Sequence, residues 1–215
     1  MKRIALVITI LLLATLKGSA QQITAAITAF PDFRPATVYM SNGQKINIPL
    51  ANIFLKNSSL LYMSDDVIKE ANIKQLTRVE FRERTYFRID TLLAYRVGNV
   101  GDDVLYCAKV LDLNAYKQMR ANSANITNLD LNALTSTSSN LSYNTIEATD
   151  KSELQFPIIS VYYFWLNNKF IRVHERTLKR TLPKEKRRIM ESVMNMPGFT
   201  WSDEKYLMMI LEKIK

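Results

Sequence analysis

Between residues 36 and 111, apolar and polar side chains alternate in short runs, and a turn signal interrupts them about every 8–12 residues. In TRVEF, residues 77–81, Val79 and Phe81 point one way and Arg78 and Glu80 the other. That is the period of a strand buried on one face. TYFRID, residues 85–90, repeats the pattern. Asn42-Gly43 parts two such runs and supplies the positive φ angles of a two-residue hairpin. Further turns are predicted at Lys56-Asn57-Ser58, at Ser64-Asp65-Asp66, at Arg82-Glu83-Arg84 and across 98–103. Pro49 cannot donate to a ladder and predicts an edge or a bend. About six to eight short strands of this kind predict a small barrel or a strongly bent sheet.

The pattern then changes. DLNAYKQMR, 112–120, predicts a short helix capped by Asp112, with Ala115, Tyr116 and Met119 on one face. Residues 121–152 are rich in Asn, Ser and Thr and carry only scattered leucines, so they bury too little to offset their ordering entropy. They read as a loop or linker. QFPIISVYYFWL, 155–166, is β-branched and aromatic on both faces, the mark of a doubly buried strand. Asn167-Asn168 turns it into KFIRVHE, 169–175, which alternates again and completes a hairpin. Two helices are predicted to close the chain. Pro183 suits the first turn of one, Ile189, Met190, Val193 and Met194 form its apolar stripe, and Pro197-Gly198 ends it. In the other, Thr200 or Ser202 is the expected cap, Asp203 and Glu204 complement the dipole, and Tyr206, Leu207, Ile210, Leu211 and Ile214 form the buried stripe.

The order strand, Asn-Gly, strand, turn, strand, and later the short IKQLTRVEF strand, resembles the small SH3-like and Sm-like barrels over residues 36–90. The resemblance implies a topology. The second glycine and the acidic or Asn constellation of an Sm RNA site are missing, so it implies no RNA function. The fold class expected is α+β: an antiparallel β-meander or small barrel with a C-terminal β-hairpin and two helices packed on it. The organisation expected is a leader over 1–20, a β-rich region with a short helix over 21–120, the linker over 121–152, and the hairpin with two basic amphipathic helices over 153–215. The last unit is too small to be comfortable alone and should dock on the β-rich region.

The opening twenty residues change the expected compartment. Lys2 and Arg3 precede an apolar run over 4–16 broken only by Thr9 and Thr15, and Gly18-Ser19-Ala20 offers small residues to a signal peptidase. This is the layout of a secretory signal, with cleavage expected after Ala20, and the run is shorter than the ~20 residues a membrane span needs. The expectation is an exported bacterial envelope protein, in the periplasm, at the outer-membrane periphery or secreted, with no transmembrane helix in the mature chain. Cys107 is the one cysteine, so no intramolecular disulfide is available to such a protein.

The formal charge is +9, and Lys2, Arg3 and Lys17 lie in the leader. The remaining excess is concentrated beyond residue 168, where 12 basic side chains face 6 acidic ones. HERTLKRTLPKEKRR, 174–188, holds Arg176, Lys179, Arg180, Lys184, Lys186, Arg187 and Arg188. These seven are the candidate binding residues for an anionic envelope component (lipid headgroups, lipopolysaccharide or acidic glycan). Each basic group near such a surface adds about 1 kcal/mol. The plain alternative is a solvated helix face. The run contains no aromatic platform, which together with export argues against nucleic acid. Another envelope protein, met by the exposed face of the meander, is the other expected partner.

Little else suggests chemistry. Five glycines form no phosphate-cradling motif, and one His with one Cys cannot build a zinc site. No cofactor and no metal is expected. Asp65-Asp66 and Asp102-Asp103 read as solvated turns. The enzymatic alternative is a thiol-dependent hydrolase or transferase using Cys107 and His174, since a thiol nucleophile needs an imidazole within hydrogen-bonding reach. Against it, VLYCAKVL sets Cys107 in an apolar strand, where cysteine packs as a small hydrophobe. The expected role is therefore non-catalytic binding or structure.

Overall fold

A computed structural model describes residues 22–24, 27–123 and 156–215. Residues 1–21, 25–26 and 124–155, which include the expected leader and linker, lie outside the described residues. Among those described, eleven strands form one antiparallel sheet. They are β1 (Gln22–Thr24), β2 (Arg34–Met40), β3 (Lys45–Phe54), β4 (Ser59–Ser64), β5 (Val67–Glu70), β6 (Leu76–Phe81), β7 (Thr85–Ile89), β8 (Leu92–Val100), β9 (Asp103–Leu111), β10 (Phe156–Leu166) and β11 (Lys169–Arg172). The spatial order is β1-β10-β9-β8-β7-β6-β2-β3-β4-β5, and β11 also pairs with β10. β1 and β11 share one edge of β10, at Phe156–Ile158 and at Tyr163–Leu166 respectively. After β5, a single 3-10 turn (Ile73–Gln75) carries the chain back so that β6 pairs with β2. The five strands β2–β6 thus return on themselves, and β7–β10 extend the sheet instead of closing it.

The sheet curls into a half-barrel, and hydrogen bonds tie the β3–β4 connection back to β8 and β9. Leu93 N–H donates to the Ser58 carbonyl at 2.8 Å, and the Ser58 hydroxyl donates to the Leu93 carbonyl at 2.6 Å. Leu111 N–H reaches the Leu55 carbonyl at 2.7 Å, and Leu55 N–H reaches Ile27 at 2.8 Å. The segment after β3 is therefore sewn to β8 and β9. Ser58 sits at φ 52 to make that turn. Pro49 falls inside the register shift of the β2–β3 pair, between Ile48 opposite Ala36 and Ala51 opposite Arg34, so its missing N–H leaves no gap in the ladder.

The inner face holds the core. Val38, Ile53, Leu60, Leu76, Val79, Phe81 and Leu93 pack inside the curl. Farther along, Leu105, Cys107, Tyr162 and Phe164 are roofed by helices. On the outer face Phe87, Tyr106, Phe170 and Trp165 touch ring to ring across β7, β9, β11 and β10.

Four helices accompany the sheet among the described residues: α1 (Leu113–Ser123), α2 (Glu175–Thr181), α3 (Lys184–Met194) and α4 (Glu204–Ile214). Asp112 caps α1, its carboxylate accepting from Asn114 and Ala115 N–H at 3.1 and 3.0 Å. The pattern predicted two closing helices; three form. KFIRVHE is strand only to Arg172, and Glu175–Thr181 is helical because Leu178 and Leu182 dock one turn apart on the core while Glu175 pairs with Lys179 at 2.8 Å. Pro183 then forces Leu182 into extended backbone at ψ 144, which separates α2 from α3. The cap of α4 is also different from that predicted. Asp203 accepts from Lys205 N–H at 2.9 Å, while Thr200 and Ser202 bond to each other at 2.7 Å. Met190 and Val193 of α3 and Leu207, Ile210, Leu211 and Ile214 of α4 are buried against β8–β10.

Candidate functional site

The basic run becomes the outer side of α2 and α3. Leu178, Leu182, Met190 and Val193 face the core, so the polar positions between them are turned to solvent. Arg176, Arg180, Lys184, Arg187 and Arg188 are exposed, and Lys179 and Lys186 are half-buried. Lys179 is occupied: it bridges Glu175 at 2.8 Å and Glu191 at 3.4 Å, tying α2 to α3. The hydrogen bond to Glu175 raises its pKa. Arg187 Nε donates to the Leu182 carbonyl at 2.7 Å and so closes the end of α2. Among the described residues, no carboxylate pairs with Arg176, Arg180, Lys184, Lys186 or Arg188. Of the seven basic residues, two therefore have structural duties, and the remaining five are not spent on ion pairs.

Cys107 and His174 are placed very differently. Cys107 is fully buried on the inner face of β9, paired across the sheet with Tyr95 on one side and Tyr162 on the other. Burial pushes its thiol up, against the lowering effect of hydrogen bonds with Tyr95 and Ser160. A thiolate is thus disfavoured where it stands. Burial likewise raises the Tyr95 and Tyr162 phenols. The Tyr162 hydroxyl donates to the Ser202 carbonyl and to Glu204 Oε1, each at 3.3 Å. His174 is exposed at the entrance to α2, and its side chain makes no capping bond. The partners of the thiol are hydroxyls, not the imidazole.

A second feature lies where the curl nearly closes. A cleft of about 160 Å³ is lined by Ile53, Leu55 and Ile158, and by Thr28 and Ala29 from the segment before β2. Arg84, Tyr86, Tyr95, Ser58 and Lys109 also line it. The Arg84 guanidinium lies 4.0 Å from the centre of the Tyr95 ring. Glu83, its neighbour in the chain, pairs with Arg34 at 3.1 Å. No family model matches this chain, and no curated protein or solved structure is significantly similar to it.

Sequence reasoning passed over Arg84 and Lys109. For Lys109 a signal existed: it shares strand parity with Leu105 and Cys107, so it had to point inward. An inward lysine on a half-buried strand needs an aqueous cavity or a partner. For Arg84 there was none, because a turn residue can aim anywhere. Among the described residues no group of three or more His, Cys, Asp and Glu could hold a metal ion. None of the described helices is long and apolar enough to cross a membrane.

Proposed function

We propose that the protein is a non-catalytic envelope protein that attaches to an anionic surface through the solvent side of α2 and α3. The observation that carries this reading is the exposure of Arg176, Arg180, Lys184, Arg187 and Arg188 on one helical layer whose opposite side is anchored in the core. Anchoring matters because charges on a rigid layer meet a charged plane together, without the ordering cost a flexible tail would incur. Export rests on the leader pattern of residues 1–20.

The test is co-sedimentation with phosphatidylglycerol–phosphatidylcholine vesicles across a salt series, with pure phosphatidylcholine vesicles as reference. Binding should require the anionic lipid and weaken steadily with salt, because screening shortens the reach of each charge to about 10 Å at 0.1 M. Replacing Arg176, Arg180, Lys184 and Arg188 with serine should abolish it while leaving the fold intact, since none of the four has a described structural partner. Equal binding to neutral vesicles, or binding unchanged in that variant, would remove the reading.

A further inference from the structure

We propose that the mouth of the five-strand curl β2–β6 is a binding site for a small uncharged molecule with an aliphatic chain, the chain lying inside and a hydrogen-bond acceptor at the rim. The opening comes from a fork at β3. Residues Lys45–Ile48 pair with β2, while β4 joins β3 only from Ala51 onward. Pro49 stands at the fork, with no N–H to carry a ladder across it. β4 meanwhile continues to Ser64 beside β5. A cavity of about 300 Å³ is lined from both arms. Its walls are tied in place: Ser41 N–H donates to the Gln75 carbonyl at 2.7 Å, and Ala71 N–H to the Leu60 carbonyl at 2.8 Å.

The lining selects the ligand. Met40, Ile46, Ile48, Leu60, Met63 and Leu76 all contribute to it, and no charged side chain is among the described lining residues. A charged group entering would lose its water with no countercharge to replace it. Ile46 is 36 % exposed, and Met40, Ile48 and Met63 are half-buried, so an aliphatic chain covers apolar surface that the fold leaves wet. Methionines adapt their shape to such a guest. Two amides lie at the rim. Asn47 Oδ1 accepts from the Thr37 hydroxyl at 3.0 Å, and Asn72 Oδ1 accepts from Lys74 N–H at 3.1 Å. With both oxygens engaged, the amides offer N–H groups, and the matching ligand atom is an ester or hydroxyl oxygen. A cavity of about 150 Å³ holds benzene, so this one takes a chain of roughly eight to twelve carbons. Its concavity suits a narrow chain better than the broad face of another protein. The site lies apart from α2 and α3 and stands whether or not they meet a surface.

Calorimetric titration of the purified protein with 1-hexanol, 1-octanol, methyl octanoate and octylammonium tests this, alongside methionine-methyl NMR. Octanol should bind about tenfold more tightly than hexanol, from two further buried methylenes. Octylammonium, charged and without an acceptor, should bind at least tenfold more weakly than methyl octanoate. The methyl signals of Met40 and Met63 should shift on binding, and that of Met190, buried beneath α3, should not. Ala71→Phe, which fills the cavity, and Ile46→Lys, which sets a charge at its exposed mouth, should each weaken octanol tenfold or more. Absence of binding by octanol and methyl octanoate overturns the proposal. So does affinity that fails to grow from hexanol to octanol, octylammonium binding as well as the ester, or a shift at Met190 in place of Met40 and Met63. Signals of Met40 and Met63 that move on diluting the ligand-free protein also overturn it, because a second copy would then fill the mouth. The ligand series and the NMR use the unmodified chain, so they decide the matter even where a variant fails to fold.

Discussion

Asn52→Leu should unfasten the seam of the half-barrel, and the expected cost can be worked from its bonds. Asn52 is buried at 1 % exposure in the middle of β3. Its amide binds the segment that precedes β2. Oδ1 accepts from Phe30 N–H at 3.2 Å, and Nδ2 donates to the carbonyls of Phe30 and Asp32 at 2.9 and 3.2 Å. Oδ1 also accepts from Ile53 N–H at 2.8 Å, so leucine, of similar branched shape, removes four bonds and strands two backbone donors and two acceptors. At about 1 kcal/mol for each lost bond, the total is about 4 kcal/mol, of which the added apolar burial of leucine recovers about 1 kcal/mol at most. The net loss of about 3–4 kcal/mol corresponds to a fall in Tm of roughly 6–16 °C for a domain of this size. Urea unfolding followed by tryptophan fluorescence measures it, and the midpoint should fall while the slope m stays constant. Hydrogen exchange gives a local readout. The Phe30 amide and the Ala29 amide, which bonds the Ile53 carbonyl at 2.9 Å, should lose protection before the amides of β9 and β10 do. A destabilisation under about 1 kcal/mol, with Ala29 and Phe30 as protected as before, would refute the reasoning, because it would mean the amide network does not hold the curl.

The remaining expectations concern the roofed end of the sheet. Met190→Ala empties a fully buried position between α3 and the sheet and should cost about 2–5 kcal/mol; far- and near-ultraviolet circular dichroism should still report one coincident transition, and separate transitions would show that the helices fold apart from the sheet. Cys107 should react with a disulfide reagent on the order of a thousandfold more slowly in the native protein than in urea, because only opening of the core exposes it; fast native labelling would contradict its placement. Stability should fall in alkali. Burial raises Cys107, Tyr95 and Tyr162 above their ordinary values of 9.0 for the thiol and 10.0 for the phenols, so the unfolded chain loses these protons first. Their contribution is complete below about pH 9 and declines as pH rises toward the folded values. The urea midpoint should drop above that pH, and Tyr95→Phe with Tyr162→Phe should flatten the decline.

Local physics made much of the architecture legible. The turns at Asn42-Gly43, at 56–58 and at 64–66 form where Asn, Gly, Asp and Ser cluster, and Gly43, Ser58, Asp65 and Asp66 adopt positive φ; Asn42 does not, so the Asn-Gly turn has one of the two positive angles expected of it. Period-two alternation placed Val79 and Phe81 inside and Arg78 and Glu80 outside, and the burial of β6 follows it. The apolar stripes of α3 and α4 are buried at Met190, Val193, Leu207, Ile210, Leu211 and Ile214. Each of these follows from neighbours within a few residues in the chain, whose chemistry is visible in a string of letters. Local rules also had blind spots. HERTLKRT scores as readily for a strand end as for a helix until Leu178 and Leu182 are given a core to dock on, and Asp203 competes with Thr200 and Ser202 for the same cap on nearly equal terms.

What belongs to the chain alone, then, is most of the strands and the two amphipathic helices α3 and α4, the alternation of side chains along each strand, and the clustering of basic residues beyond position 168. What the tertiary structure decided is everything that depends on distant partners. The return of β6 to β2, the sewing of Ser58 to Leu93, and the Asn52 latch on residues 30–32 join positions far apart in sequence. The same closure sets Arg84 and Lys109 around one cavity and surrounds Cys107 with hydroxyls. Alternation tells which way a side chain points, but only the curvature of the sheet tells what it meets there, because curvature is set by the sum of bulges, turns and long-range bonds and by no single residue.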